Sequence, residues 1–490
     1  MPASAMGPSA HETADIQAFA GLPAPGAPDE LLESSNLLMR WRIAVRQALA
    51  THHLVDVAAG LSRRFDSQLS SLETVGVPID LLACFPKWRY GARLPFVPGS
   101  SGLRVAPSGA AVPLGTLRLQ LSPARGTVPY ALLLLRALLR RLDPSVHFVV
   151  VVEPGADIEA LSRLAVRFHP TAEARVRFVP MRCITVFAQD NARAMRDEHG
   201  NPVLFVPREF RAGEARADDE LDPAAAERAF GIPVRRSRLY WEGGNVVHDE
   251  ERCFVGIDTV AENSARLGLS HGEVVDLLSA EFGVQVSPLG RAKTARFDPA
   301  DEAHCVSGQS SFHVDLDVAL LGRVGRARRP RALVADSARG LRFVDDVLAM
   351  RRLTEGHFLQ AREIRRYLRA EYDASAETRH PLLLEYAASL ADAGYAVVGV
   401  PDLRIDPKMD VYQRVNLDFG YCNVLPGLHR TRPAVHHFVS GVRTLDREAA
   451  KRIRLSGVEP VAVSTAEVAS ALMRLQGGLH CCCGSLSTDG

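Results

Sequence analysis

Four short segments of this 490-residue chain combine acidic, histidine or cysteine side chains in patterns that are typical of catalytic or binding sites. They are VFAQD (186–190), LYWEGGNVVHD (239–249), SSFHVDLDVALLG (310–322) and LQGGLHCCCGSLSTDG (475–490). A thiol on a glycine-flanked loop can act as a nucleophile when a histidine elsewhere handles the protons. A carboxylate beside paired glycines can face a bound cation, because glycine lets the backbone approach another group closely.

The first two segments place acidic residues at strand ends or glycine turns. Asp190 ends an apolar strand and precedes a predicted hairpin with its turn at 199–201. Glu242 is followed by Gly243, Gly244 and Asn245. Both also fit ordinary structural roles, Asp190 as a turn or capping residue and the glycine pair as a plain turn. These two patterns alone do not separate structure from function.

The third segment is predicted to be a strand over 310–322. Alternation then puts His313, Asp315 and Asp317 on one face. Such a face is exposed to solvent, used in catalysis, or part of a metal site. Against a metal site, the sequence has no HExxH, CxxC or similar set of spaced ligands.

The fourth segment contains three adjacent cysteines, Cys481 to Cys483. Adjacent cysteines do not easily pair with one another, and a metal site or a palmitoylation site are alternatives. Palmitoylation is disfavoured because no amphipathic anchor accompanies the run. A thiol nucleophile is the more economical interpretation.

The elements that must position these segments follow an α/β pattern. Strands are predicted at 114–121, 146–154, 176–181, 331–336, 396–404, 434–441 and 458–464. Helices are predicted at 128–142, 158–168, 356–371, 381–394, 447–457 and 465–475. Recurring units of strand, helix and strand favour a repeated module over one doubly wound sheet.

Shifts in composition divide the chain. Residues 1–30 are predicted to be a disordered tail, since they lack the basic and apolar regions of a signal peptide. A helical accessory segment and a Pro-, Gly- and Ser-rich linker follow at 31–112. The main domain is predicted at 113–484, with a C-terminal tail at 485–490.

Charge and hydropathy exclude several partners. The chain has 58 Lys and Arg residues against 57 Asp and Glu, so no net basic field favours nucleic acid. The longest apolar run is broken by Arg136, Arg140 and Arg141, well short of the roughly 20 residues of a membrane span. Eight scattered cysteines do not form a disulfide framework, which predicts a cytoplasmic protein.

Taken in order, the motifs AQD, WEGGN, FHVD and GGLHC resemble those of the guanidino-group-modifying superfamily. Its members include the arginine, agmatine and peptidylarginine deiminases and the amidinotransferases. The resemblance covers residues 113–484 and implies an α/β pentein fold, a fivefold pseudosymmetric propeller, here preceded by a mostly helical N-terminal extension.

The resemblance also implies roles for individual residues. The superfamily's catalytic positions fall on Cys481, His313, Asp315 and Glu242. Its substrate-binding positions fall on Asp190, Gly243, Gly244 and Asn245. Two departures concern the substrate: Asn191-Ala192-Arg193 replaces the Gly-Pro that follows this aspartate in agmatine deiminases, and Cys482 replaces the usual threonine.

The implied reaction is hydrolysis of a guanidino group. Asp190 and Asp315 would hold the guanidinium, Cys481 would attack its central carbon, and His313 would transfer protons. The products would be a ureido compound and ammonia. No metal or other cofactor is expected, because a divalent ion would repel the cationic substrate. The partner is a small guanidino compound or an arginine side chain.

Three other functions stay open. An amidinotransferase would use the same covalent intermediate with an amine as acceptor. A noncatalytic pentein binding module would be expected to lack the cysteine or the histidine, yet all five candidate positions are filled. A metal-dependent hydrolase would use His313, Asp315 and Asp317. The sequence also leaves open the substrate, assembly into a homo-oligomer and the role of residues 1–112.

Overall fold

The computed structural model describes residues 101–122, 128–181, 185–208, 221, 223–297, 306–349, 361–405, 419–464 and 477–487. The strands are β1 Arg104–Val105, β2 Thr116–Leu121, β3 His147–Val152, β4 Val176–Pro180, β5 Arg193–Arg196, β6 Pro202–Val206, β7 Val234–Arg236, β8 Val246–His248, β9 Arg252–Gly256, β10 Gln285–Leu289, β11 Val318–Gly322, β12 Arg331–Asp336, β13 Ala396–Leu403, β14 Phe419–Gly420, β15 Leu425–His429, β16 Arg432–His437, β17 Glu459–Ala462 and β18 Gly484–Ser487. The α-helices are α1 Val128–Arg141, α2 Ile158–Phe168, α3 Ala172–Arg175, α4 Pro223–Phe230, α5 Ile257–Leu267, α6 His271–Phe282, α7 Ser337–Gly340, α8 Val344–Leu348, α9 Ala361–Asp392, α10 Arg443–Leu455 and α11 Leu479–Cys482. The predicted tail at 1–30, the accessory segment up to residue 100 and the predicted helix at 465–475 lie outside the described residues.

Five small sheets share one strand pattern, in which an antiparallel pair is followed by a parallel pair. In one of them β5 and β6 form a hairpin and β7 lies parallel to β6. The pattern recurs in β8-β9-β10, β11-β12-β13, β15-β16-β17 and β18-β2-β3. Helices connect the parallel strands, because parallel neighbours need a long crossover. The repeated strand–helix–strand module predicted from the sequence is therefore present.

Local sequence explains why these elements form. Strand β3 reads HFVVVV and buries every residue after His147, as expected of a strand covered on both faces. Helix α2 starts where Asp157 accepts a hydrogen bond from the Ala160 amide. The hairpin predicted around 199–201 is the connection between β5 and β6. The predicted α/β class is confirmed. Among the described helices, none is long and apolar enough to cross a membrane.

The two ends of the described chain take part in the sheets. Strand β18 pairs antiparallel with β2 and extends to Ser487. Strand β1 pairs antiparallel with β5. Both pairings reach beyond residues 113–484, the limits predicted for the main domain. Strand β18 thereby fixes the segment that contains Cys481 against the first strands of the fold.

The prediction of separate helices at 356–371 and 381–394 was wrong. Helix α9 runs without interruption from Ala361 to Asp392 and contains Pro381. An internal proline costs about 3 kcal/mol, because it removes a hydrogen bond and crowds the preceding turn. Tyr372, Leu383 and Tyr386 on this helix are buried in the largest apolar cluster, and that packing outweighs the penalty.

The prediction of one strand over 310–322 was also wrong. Val314–Leu316 forms a short 3-10 turn, and β11 begins only at Val318. The turn forms because the side-chain oxygen of Asn245 accepts a hydrogen bond from the Val314 amide at 3.2 Å. This tertiary contact breaks the alternation that the sequence pattern implied.

Candidate active site

Each candidate residue lies in the short segment that leads into the first strand of an antiparallel pair. The candidates are Asp190 before β5, Glu242 before β8, His313 and Asp315 before β11, and Cys481 before β18. The corresponding segment before β15 contributes Asn423, which the sequence analysis missed. Its detectable signal was position, since it precedes a strand of the repeated unit just as the others do.

Glu242 and His313 form one half of the site. Nε2 of His313 hydrogen-bonds to Oε2 of Glu242, and Oε1 of Glu242 accepts from the Tyr240 hydroxyl. Nδ1 of His313 lies 3.8 Å from Oδ1 of Asp190. The imidazole is 1% exposed. Two neighbouring carboxylates stabilise the positive charge that the ring acquires on taking up a proton.

Gly243 and Gly244 permit this close approach. A Cβ on Gly243 would clash with the backbone oxygen of Gln189, and one on Gly244 would clash with the His313 ring. The Gly243 backbone amide donates a hydrogen bond to the backbone oxygen of Asp190 at 2.9 Å. The glycine pair therefore joins the Glu242 segment to the Asp190 segment and lets the backbone pack directly against the His313 ring.

Asn245 ties the Glu242 segment to the segment of His313. Its side-chain oxygen accepts from the Val314 amide and from Nε2 of Gln309, at 3.2 and 3.1 Å. The side chain is buried. The Asn245 side chain is therefore hydrogen-bonded to other parts of the protein, and its contact with Val314 stabilises the turn that follows His313.

Cys481 and Asp315 form the other half of the site. The Cys481 thiol lies 3.6 Å from Oδ2 of Asp315 and accepts a hydrogen bond from the side-chain Nδ2 of Asn423 at 3.0 Å. The side-chain oxygen of Asn423 in turn accepts from the Cys481 amide. Oδ2 of Asp315 also hydrogen-bonds Nδ1 of His480 at 2.7 Å. Oδ1 of Asp315 is buried and makes no hydrogen bond within the described part of the chain.

The surroundings of Cys481 disfavour its thiolate. Burial raises the pKa of the Cys481 thiol well above its ordinary value, and the charges of Asp315 and Asp190 raise it further. Both carboxylates are therefore close enough to the Cys481 sulfur for their charges to act on it. A cation bound between them would offset this repulsion and favour the thiolate.

The other two adjacent cysteines have different surroundings. Cys482 and Cys483 belong to an apolar cluster with the leucines of α1 and β2. Burial raises the pKa of Cys483 to about 12 and that of Cys482 well above its ordinary value. Cys481 differs from them because its sulfur contacts Asn423 and Asp315.

Asp317 does not join His313 and Asp315, contrary to the predicted shared face. Its carboxylate is fully buried and binds Arg379, Arg404 and Ser310. The trio required by the metal-dependent alternative is therefore not assembled. Across the described ranges, no group of three or more His, Cys, Asp or Glu side chains is arranged to hold a metal ion.

Among known proteins, similarity to this chain is found in solved structures. No family model matches the sequence, and no curated protein matches it. Among solved structures, an agmatine deiminase of C. jejuni matches with a TM-score of 0.51 and 15% identity, covering 81% of this chain and 99% of its own. An agmatine deiminase of Enterococcus faecalis matches at 0.46 and 15%, covering 80% and 99%. The DDAH from Pseudomonas aeruginosa matches at 0.31 and 13%, covering 76% and 99%.

The first of these likenesses extends along nearly the whole of the matched chain. The resemblance found in the AQD, WEGGN, FHVD and GGLHC motifs is therefore confirmed at the level of the fold. At 15% identity the comparison concerns architecture only, and this chain shares the α/β fold of an agmatine deiminase.

Proposed function

We propose that this protein hydrolyses a guanidino group through a covalent thiouronium intermediate on Cys481. The observation that carries the proposal is the convergence of one thiol, two carboxylates and a histidine–glutamate pair from four separate segments of the chain. The Cys481 sulfur lies 3.6 Å from Asp315, and Asp190 lies 3.8 Å from His313. A planar cation between these groups would contact both the nucleophile and the proton carrier.

Substrate binding is assigned to the two aspartates. A guanidinium presents several N–H donors in one plane, and each pair of donors fits one carboxylate. Oδ1 of Asp315 offers an acceptor that no described protein group uses. Asp190 supplies the second acceptor group on the His313 side. Gly243, Gly244 and Asn245 belong to this binding loop, in which they hold Glu242 and Asp190 in place.

The first chemical step forms the bond between Sγ of Cys481 and the central guanidino carbon. Substrate charge offsets that of Asp315 and Asp190, so the thiol can lose its proton to His313. His313 then gives this proton to the departing nitrogen, which leaves as ammonia. Glu242 holds the imidazole in position throughout. The product of this step is the thiouronium, which keeps the substrate's positive charge.

The second step hydrolyses the thiouronium. A water takes the place of ammonia, loses a proton to His313 and attacks the same carbon. The bond from sulfur to carbon breaks, the Cys481 thiol is restored and the ureido product leaves. The remaining proton is taken up by ammonia, so the overall reaction consumes one water and yields the ureido compound and ammonium.

The finer architecture belongs to the same proposal. We assign the five sheets to a pentein-type fivefold propeller, with the catalytic domain at 113–484 extended by the sheet pairings of β1 and β18. The shared strand pattern and the equivalent position of each candidate residue before its sheet support this assignment. The described cysteines Cys253, Cys422 and Cys481 to Cys483 are free thiols, which agrees with the cytoplasmic location we propose.

A panel of guanidino compounds tests the proposal. The purified full chain is incubated with free arginine, agmatine, other small guanidines and an arginine-containing peptide, with and without acceptor amines. Hydrolysis releases ammonia and a ureido product in equal amounts, whereas amidino transfer makes a new guanidino compound only with an acceptor. Cys481→Ala is the matched control. Wild-type protein that forms neither product with any compound would refute an enzymatic role.

A further inference from the structure

A cavity separate from the candidate catalytic residues lies beside the turn that carries His480. Its volume is about 70 Å³. Residues of β2, β5, β8, β15 and β18 line it. None of Asp190, Glu242, His313, Asp315 and Cys481 does so.

The lining of this cavity is basic. Arg193, His248 and His480 contribute to it, and none of the described lining residues is an aspartate or glutamate. His480 is already hydrogen-bonded to Asp315 through Nδ1. Arg193 and His248 are the basic groups whose charge or donors are not used by any step proposed above.

Arg193 is a buried guanidinium without a carboxylate partner. It is 5% exposed, and its Nη2 donates to the backbone oxygens of Gly243 and Val246 at 2.7 and 2.5 Å. Its Nε is buried and makes no hydrogen bond, and no described carboxylate is ion-paired with it. Burial lowers the pKa of Arg193 to about 10. The charge of Asp315 opposes this lowering, but no described carboxylate lies within ion-pair distance of Arg193, so its hydrogen-bond acceptors are neutral carbonyls.

His248, on strand β8 of another sheet, is the second basic lining residue that the steps above do not use. Its Nδ1 is buried and has no hydrogen-bond partner within the described residues. Burial lowers the pKa of His248 well below its ordinary value, and the positive charges of Arg193 and His480 act in the same direction. Arg193 and His480 therefore lie close enough to His248 to oppose its protonation.

We propose that this cavity is a binding site for a small oxyanion, held by Arg193 and His248. An oxyanion in the cavity would lie against the Arg193 guanidinium and the His248 imidazole, and its charge would offset that of the guanidinium. Inorganic phosphate and a carboxylate share this chemistry. The site takes the opposite charge to a guanidino substrate, so it does not depend on the function proposed above.

Isothermal titration calorimetry of the full chain with inorganic phosphate tests the proposal without any turnover. Wild-type protein is expected to bind one phosphate saturably. Arg193→Gln keeps an amide donor for the two carbonyls but removes the charge, and His248→Phe keeps the ring shape but removes both nitrogens. Each variant should bind phosphate at least about tenfold more weakly. A parallel titration with acetate shows whether phosphate or a carboxylate is the preferred source of the oxyanion.

Arg175→Gln is the matched control. Arg175 is a buried guanidinium that donates to the backbone oxygens of Val146, Leu139 and Asp143, and it does not line the cavity. This variant should keep wild-type phosphate affinity. Thermal unfolding checks that every variant is folded; if Arg193→Gln is not, His248→Phe decides. The proposal is overturned if wild-type protein binds neither anion saturably, or if a folded Arg193→Gln or His248→Phe binds as tightly as wild type.

Discussion

Asp315 and Asp317 stand two residues apart and are 2% and 0% exposed, yet they belong to clusters of opposite character. Asp317 lies with Asp402, Arg379 and Arg404 in what we call the arginine–aspartate cluster. Asp315 lies with Asp190, Glu242, His313 and Cys481 in what we call the site cluster. Similar burial therefore does not give similar roles.

Charge balance is what separates the two clusters. In the arginine–aspartate cluster two carboxylates meet two guanidiniums, and each arginine contacts both aspartates. Burial opposes the charge of Asp317, but Arg404 and Arg379 outweigh it and hold the pKa of Asp317 below its ordinary value. Nothing in that cluster remains to attract a ligand.

The site cluster has a different balance. No described arginine or lysine forms an ion pair with Asp315, whose contacts are His480 and the Cys481 thiol. Its three carboxylates lie around one histidine and one thiol. Under the proposed function, a cationic substrate would offset this surplus of negative charge. The comparison therefore separates a neutralised cluster from one in which the carboxylates lack ion-pair partners among the described arginines and lysines.

The largest effect is expected at the nucleophile. Cys481→Ala should lower kcat by at least about 1,000-fold, because no other thiol contacts the site cluster. Cys482→Ala and Cys483→Ala, whose side chains pack in the apolar cluster, should keep most of the activity. Steady-state ammonia release from the three variants makes the measurement. A dead Cys482→Ala beside an active Cys481→Ala would place the nucleophile one residue later.

The next effect is on stability and belongs to the arginine–aspartate cluster. Asp317→Asn leaves Arg379 and Arg404 short of negative charge in a buried setting, which typically costs about 3 to 5 kcal/mol. Urea unfolding should show this loss in the free energy of unfolding. Unchanged stability would mean that the cluster is not what holds this part of the fold together.

The matching changes in the site cluster should act on catalysis instead. Asp315→Asn and Asp190→Asn each replace an acceptor oxygen by a donor that faces the substrate's own N–H groups. Each should lower kcat/KM by at least ten- to a hundredfold, while the melting temperature stays within a few degrees of wild type. If Asp190→Asn unfolds, Asp190 is a structural capping residue. A stable, fully active variant would remove that aspartate from the site.

A pair of isosteric alkylating agents tests the preference for cations. Chloroacetamidine is cationic and chloroacetamide is neutral, but both carry the same leaving group. Because Asp315 and Asp190 raise the pKa of Cys481, the cation should inactivate the enzyme about tenfold faster or more. Asp315→Asn should reduce this ratio. Equal rates for the two agents in wild type would contradict a role for the carboxylates in activating the thiol.

The smallest effect is the pH dependence contributed by Asp317. Its pKa is lower in the folded than in the unfolded chain, so its contribution to stability is full above the unfolded value of about 4 and is lost as pH falls through the folded value. The difference in unfolding free energy between wild type and Asp317→Asn should therefore shrink below about pH 4. A difference that stays constant down to pH 2 would show that ionisation of Asp317 is not its source.

Local pattern was a sound guide where one element determines the outcome. The apolar run of β3, the bounds of α2 and the turn between β5 and β6 follow from residues adjacent in sequence. The pattern was wrong at Pro381, where packing of α9 outweighs a local penalty. It was also wrong after His313, where the Val314 backbone amide donates to the side-chain oxygen of Asn245 and the chain forms a turn instead of a strand.

The α/β class and the residue types at the ends of the strands can be read from the amino-acid sequence, because both depend on short-range periodicity and composition. Which carboxylates are neutralised depends on contacts that form only when the chain folds. Arg379 and Arg404 reach Asp317 from 62 and 87 positions away, whereas Asp315 meets the Cys481 thiol across 166. Two aspartates in one short motif acquire opposite roles because electrostatic neutralisation depends on distance in space, to which spacing along the chain is no guide.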